Sequence, residues 1–223
     1  MSYQKEAVSR RTYDSSGRRS TAARTQAHVV AVATRLMIED GYARTSIPDV
    51  AAAAGVSVAL VYAAFSNKAG LLKRVLDTAV AGDDDPVAIR DRPEVAAVAA
   101  AASGKRRCVL TAQIIAGANS RTAPLARVLR DAAGNDVDAA MVLDRAEAGR
   151  HAGMREFVDL LAGAGQLRDG MEPVRAADIV WVLSDPLTYG RLVEDRGWSH
   201  ADYEEWLASS IYDAIGQRKR HSS

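Results

Sequence analysis

Residues 41–72 constrain the fold more than any other stretch. They read GYARTSIPDVAAAAGVSVALVYAAFSNKAGLL. Ser46 precedes a short apolar run and is followed three residues on by Asp49. At that spacing a hydroxyl and a carboxylate can each take a backbone N–H of the other residue at a helix start. Pro48 falls in the first turn, where a missing N–H removes no helical bond. Val50, Ala51 and Ala54 then share an inward face, and the run ends at Gly55, which can turn the chain with positive φ. Val56 plugs the angle, and Ser57 caps a second run over about 57–64. Two helices joined this tightly can lay the second one in a DNA groove.

The flanks extend the pattern. Val29, Ala33, Leu36 and Met37 recur at i, i+4, i+7 and i+8, one face of a helix running from Thr21 to the stop at Gly41. Ser66-Asn67-Lys68 opens a further helix to about residue 80, with Leu71, Leu72, Val75 and Leu76 apolar. Gly82-Asp83-Asp84-Asp85-Pro86 breaks it, and Pro93 with the alanines after it suggests a short helix inside a long connection. Helices are expected at about 104–118, 122–133 and 136–164, then at 173–195 and 199–217. Tyr203, Trp206, Leu207, Ile211 and Ala214 form the apolar stripe of the last.

Composition agrees with an all-α chain. Aromatic residues are 5% of the 223 and strand-like alternation is missing, while alanine is abundant. No run of about 18 apolar residues suggests a membrane span. The N-terminus lacks the apolar core of an export signal, so a cytoplasmic location is expected. Cys108 is the sole cysteine, which excludes an intramolecular disulfide and a cysteine metal cluster. The net charge of +1 hides an asymmetry: residues 1–80 carry 11 Lys+Arg against 6 Asp+Glu. The excess lies on the part with the helix pair, as phosphate neutralisation would require. Residues 1–20, with Arg10, Arg11, Arg18 and Arg19, read as a disordered basic arm that could track a phosphate backbone or enter a minor groove. A solubilising tail is the equal alternative.

Thr45-Ser46-Ile47, Asp49-Val50-Ala51, Ala54-Gly55-Val56-Ser57, Val61-Tyr62, Phe65, Asn67-Lys68 and Leu71-Leu72 together resemble the DNA-binding domain of TetR-family transcriptional regulators. The resemblance covers about 50 residues counting the first helix. It extends more loosely to Ala176–Trp181, Arg196–Ser199 and Tyr203–Leu207 near the end of the chain. It implies an N-terminal three-helix helix-turn-helix domain and a C-terminal helical ligand-binding and dimerisation domain, about nine helices in all. The divisions expected are the arm (1–20), the DNA-binding domain (21–66), a connecting helix (67–82) and the effector and dimer domain (83–223). The function implied is a ligand-responsive regulator without enzymatic activity, most often a repressor that leaves its operator when a small molecule binds. The partners implied are operator DNA, a small-molecule effector and a second copy joined through the last two helices.

Carried over residue by residue, the resemblance gives Tyr62 a phosphate contact through its hydroxyl. It gives Lys68 another at the start of the fourth helix, where the helix N-terminus also favours anions. Thr45 and Ser57 are expected to cap helices and could donate to phosphate, and Arg44 could reach backbone or base. Val58, Ala59 and Leu60 depart from the family's polar early positions, and Ala63 and Ala64 follow Tyr62. Val58 and Leu60 could touch thymine methyls but offer base edges no hydrogen bond. Direct readout is therefore expected to be limited, with affinity resting on phosphate, arm and DNA shape. The alternative is a helical ligand-binding dimer with weakened or lost sequence-specific DNA binding.

Gln113, Asn119, His151, Arg155 and Trp181 lie in otherwise apolar helical stretches and are the candidates for an effector pocket, against a simpler role as surface or structural polar groups. No cofactor or metal is expected, since His151 lacks partners at ligand spacing. Lys105-Arg106-Arg107 before Cys108 could depress the thiol pKa, and a buried inert thiol is the alternative. No Gly-rich phosphate loop, Ser/His/Asp signature or paired-His motif points to an enzyme.

Overall fold

The computed structural model describes residues 15–82 and 91–217, with side chains from Ser20 onward. The first 14 residues of the expected arm, including Arg10 and Arg11, lie outside the described residues. The described part is all-α. Its helices are α1 (Ser15–Asp40), α2 (Ile47–Ala54), α3 (Val58–Phe65), α4 (Lys68–Ala81), α5 (Pro93–Ala100), α6 (Gly104–Ala133), α7 (Val137–Gly163), α8 (Pro173–Leu183), α9 (Pro186–Tyr189) and α10 (His200–Ile215). Nine of these have eight residues or more, and a π-helical stretch (Gly190–Asp195) follows α9. No helix among the described residues is by itself long and apolar enough to cross a membrane.

Two apolar cores organise the chain. The first takes Val29, Ala33 and Met37 from α1, Val50 and Ala51 from α2, Val61 and Phe65 from α3, and Leu71, Leu72 and Val75 from α4. Met37, Val50, Val61, Leu71 and Leu72 are fully buried. Each such side chain contributes about 1.5–3 kcal/mol relative to exposure, so helices of only eight residues are held by packing and not by their own propensity. The second core takes Cys108, Ala112, Ile115, Ala116 and Ala123 from α6, with Phe157, Val158 and Leu161 from α7. Val180 of α8 and Tyr203, Leu207, Ile211 and Ile215 of α10 complete it.

The cores meet on α6 and α7. Leu125, Leu129 and Ala132 of α6, with Ala139 and Val142 of α7, belong to the first core and not the second. The head formed by α1–α4 is therefore seated on the turn between α6 and α7. Burial pushes the pKa of Tyr42, in the α1–α2 turn, up to about 12, and the nearby carboxylate of Asp136, which caps α7 through Ala139 N–H, adds to the rise.

Three expectations on element bounds need correction. First, α1 begins at Ser15, inside the segment read as a disordered arm. Second, residues 104–133 form one helix where two were expected. Pro124 is internal to α6, and a proline there costs about 3 kcal/mol. The helix continues because fully buried Ala123 and Leu125 flank the proline, each fixed in one of the two cores. Third, residues 173–195 are not one helix. Pro186 drives the residue before it out of the helical region, and Asp185 has φ −59° and ψ 126°. The break is then pinned from inside: Asn119 Nδ2 donates to Ser184 O at 3.0 Å and to the Tyr203 hydroxyl at 3.1 Å. The segment 86–103 yields the short helix α5 at Pro93–Ala100, and residues 83–90 lie outside the described residues.

Candidate nucleic-acid interface

The sequence builds the head's turn locally. Ser46 accepts Asp49 N–H at 3.2 Å, and the Asp49 carboxylate accepts the Ser46 hydroxyl at 2.5 Å and the Ser46 N–H at 3.1 Å. The hydroxyl first, then the N–H, hold the Asp49 carboxyl below its ordinary range. Gly55 sits at φ 66°, which glycine adopts without strain. Ser57 then accepts Leu60 N–H at 3.2 Å and starts α3. The axes of α2 and α3 differ by 114°, so α3 stands across α2 and turns one face outward. That face carries Ser57, Val58, Ala59, Leu60, Tyr62 and Ala63.

Exposure separates the α3 residues by role. Val61 is fully buried and Phe65 is 8% exposed, so these two fasten the helix. Tyr62 is 49% exposed, so its ring is not the filler of the helix pair and its hydroxyl stands at the surface. Val58 and Leu60 are 38% and 37% exposed, and both are apolar tips on the same outward surface. Ser57 spends its oxygen on the Leu60 N–H, which leaves its proton to donate outward.

Two positions behave differently from expectation. Thr45 is 3% exposed and its hydroxyl donates to Gly41 O at 2.9 Å. It secures the α1–α2 turn from inside, while Ser46 does the capping, so Thr45 is not placed to reach phosphate. Lys68 is half-buried at the start of α4. Its Nζ lies 4.0 Å from the Tyr42 ring centroid and donates to Ala43 O at 3.4 Å, and burial lowers its pKa. The lysine thus clamps α4 to the α1–α2 turn. The N–H groups at this helix start are partly spoken for by Asn67, which accepts Gly70 N–H at 2.7 Å. Arg44 is exposed and donates through Nε to Asp40 O at 2.7 Å, closing the end of α1.

Residues 29–75, which span all of this geometry, match the family described as bacterial regulatory proteins of the tetR family. This segment is a TetR-family domain. Over 61 residues the chain is 44% identical to the DNA-binding transcriptional repressor TetR of Mycobacteroides abscessus, a match covering 27% of this chain and 32% of that protein. The chain thus spans about a third of that relative's length. Solved structures extend the likeness to the whole fold. A TetR-family transcriptional regulator from Mesorhizobium loti superposes with a TM-score of 0.65 at 20% identity, covering 87% of this chain and 98% of that one. The SmeT–triclosan complex gives 0.66 at 17% identity, covering 88% and 93%. At such identities the likeness is one of fold.

Behind the TetR-type head, the five effector candidates do not converge. Asn119 is 4% exposed and its amide is satisfied by Ser184 and Tyr203, so it pins helices together. His151 pairs with Asp178 at 2.8 Å on the surface, and Arg155 pairs with Asp159 one turn along α7 at 3.0 Å. Trp181 donates its indole N–H to Glu147 at 3.1 Å and lies under Arg150 at 4.8 Å. Glu147 binds both Arg150 and Arg130, and Arg130 reaches Asp185, so this cluster ties α6 and α7 to the break after α8. Gln113 lines an open groove of about 580 Å³ between α6 and α10 with Lys105, Glu204 and Tyr212. A second open groove of about 530 Å³ lies beside Trp198 and Trp206.

The thiol of Cys108 is fully buried and burial pushes its pKa up to about 12, so the preceding basic residues do not activate it. Among the described residues no group of three His, Cys, Asp or Glu side chains is placed to hold a metal. Sequence reasoning missed Tyr42, Arg121 and Arg150. Each acts through a partner far away in sequence, so spacing alone carries no trace of it.

Proposed function

We propose that this chain is a homodimeric, ligand-responsive transcriptional regulator that binds operator DNA through α3 and releases it when a small molecule binds the helical body. The observation that carries the reading is the head itself: capped, tightly turned, with Tyr62 and Ser57 at the surface of α3. The repressor assignment rests on the 44% identity of this segment to a DNA-binding repressor. SmeT, of similar fold, was solved with triclosan, which supports a body able to admit a small ligand. Val174 and Val182 are 54% and 59% exposed on one side of α8, apolar surface suited to a second copy through α8 and α10. A dimer would set two recognition helices about 34–36 Å apart, on successive major-groove faces.

The test is a footprint and gel-shift series against DNA flanking the gene, at several salt concentrations. Selective protection, lost with a steep log K against log salt slope, is the expected outcome. Exposed Val58 and Leu60 favour one rival, a helical ligand-binding dimer whose head has lost sequence selectivity. Absence of any protected sequence at moderate salt would favour that rival. A discrete monomer at micromolar concentration would remove the dimer.

A further inference from the structure

We propose that Arg121 is a positioning residue that fixes the angle of α4, and with it the head, to the body. The inference rests on the regulator reading for its biological meaning but not for its geometry. The apolar core of the head holds α4 as far as Leu76. Beyond it, none of the residues from Asp77 to Ala81 is fully buried, and only partly buried Ala79 among them still packs against that core. Polar bonds hold the rest of this last turn. Arg121 of α6 donates from Nε to Ala79 O at 2.7 Å and from Nη2 to Val80 O at 3.2 Å. Arg92, just before α5, donates from Nη1 to Ala81 O at 2.8 Å. Cations at a helix C-terminus satisfy carbonyls that lack helical partners and complement the helix dipole.

The place of Arg121 on α6 gives the contact its consequence. Ala123 belongs to the body core and Leu125 to the head core, with Pro124 between them. Pro124 donates no N–H to the turn before it, so α6 is weakest where it passes from one core to the other. Arg121 stands on the body side of that seam and grips the end of α4. Gly82 fits it closely: a Cβ there would lie 2.9 Å from the Arg121 guanidinium carbon, and φ is +84°. At the last turn of α4, a shift of the body half of α6 is thus passed on by directional hydrogen bonds that are either made or broken, in addition to the apolar contact made further up the helix.

The test measures the distance between spin labels on Ala63→Cys in α3 and Lys105→Cys in α6, both exposed, in full-length protein diluted with unlabelled chain. Native Cys108 is fully buried and stays unlabelled. Arg121→Ala is expected to broaden the distance distribution beyond the wild-type width, with the melting temperature nearly unchanged. Arg121→Lys, which keeps the charge but not both bonds, is expected to restore part of the narrowing. Arg127→Ala, which removes an α6 arginine paired with Glu194, should leave the distribution as it was. DNA affinity of Arg121→Ala should fall by roughly 5–150-fold, the usual range of coupling between sites. An unchanged distribution in Arg121→Ala would overturn the proposal, as would equal broadening in Arg127→Ala. A collapse of melting temperature in both Arg121 variants would also overturn it, since Arg121 would then serve stability alone. Failure to find an operator would leave the distance result standing and count only against the regulator reading.

Discussion

Gly70 shows how much a single missing methyl can decide. It lies in the first turn of α4, and a Cβ there would stand 2.1 Å from Phe65 O, a backbone atom unable to swing aside. The end of α3 and the start of α4 therefore approach more closely than any other residue permits. Gly70→Ala is expected to destabilise the head by about 1–3 kcal/mol or more, read as an earlier calorimetric transition. Asp49 offers a pH test at the same scale. Its bonds to Ser46 lower its folded pKa, so its stabilising effect is complete above the unfolded value near 4 and is lost as pH falls through the lowered folded one. The urea midpoint of Asp49→Asn should lie below wild type from about pH 5 to 7, with the gap closing below about pH 4. A gap independent of pH would show that the carboxylate charge is not what caps α2.

Among the elements, α6 carries the most tension between local preference and packing. The sequence suggests a break at about 119–121, between helices expected at 104–118 and 122–133, and Pro124 lies just beyond it inside one continuous helix. The helix passes through because Ala123, Leu125 and Leu129 are buried on either side, a fact set by residues far along the chain. Pro124→Ala should raise the melting temperature, by an amount corresponding to at most about 3 kcal/mol, because it restores a helical bond and removes a clash. A fall in stability would mean that Ala123 and Leu125 are packed around the proline ring itself. The break after α8 is the opposite case. Pro186 does end that helix, but Gly190, four residues further on, starts a π-helical stretch that no apolar period announces.

For the whole molecule, the head was legible because its signals are local: caps, a proline, a glycine and a short apolar rhythm all lie within 41–72. The body was legible only as helices. Which of its polar groups face a ligand depends on burial and on partners tens of residues away. Asn119 shows this by meeting Ser184 and Tyr203. Thr45 shows it within the head, since a buried and an exposed threonine look alike in sequence. Under the regulator reading, Tyr62→Phe removes one hydroxyl from a half-exposed side chain. Stability should stay within about 0.5 kcal/mol, while affinity should drop roughly 5- to 10-fold for cognate and unrelated DNA alike. Loss confined to the cognate sequence would assign Tyr62 to base reading instead.

The three tryptophans, Trp181, Trp198 and Trp206, all lie in or beside α8 and α10, and none is in α1–α4. Intrinsic tryptophan emission is therefore a private signal of the body. Far-ultraviolet circular dichroism, by contrast, sums every helix. If the head loosens first on warming, ellipticity will fall while the indole spectrum stays still. The protein thus carries its own pair of reporters for watching one half move without the other.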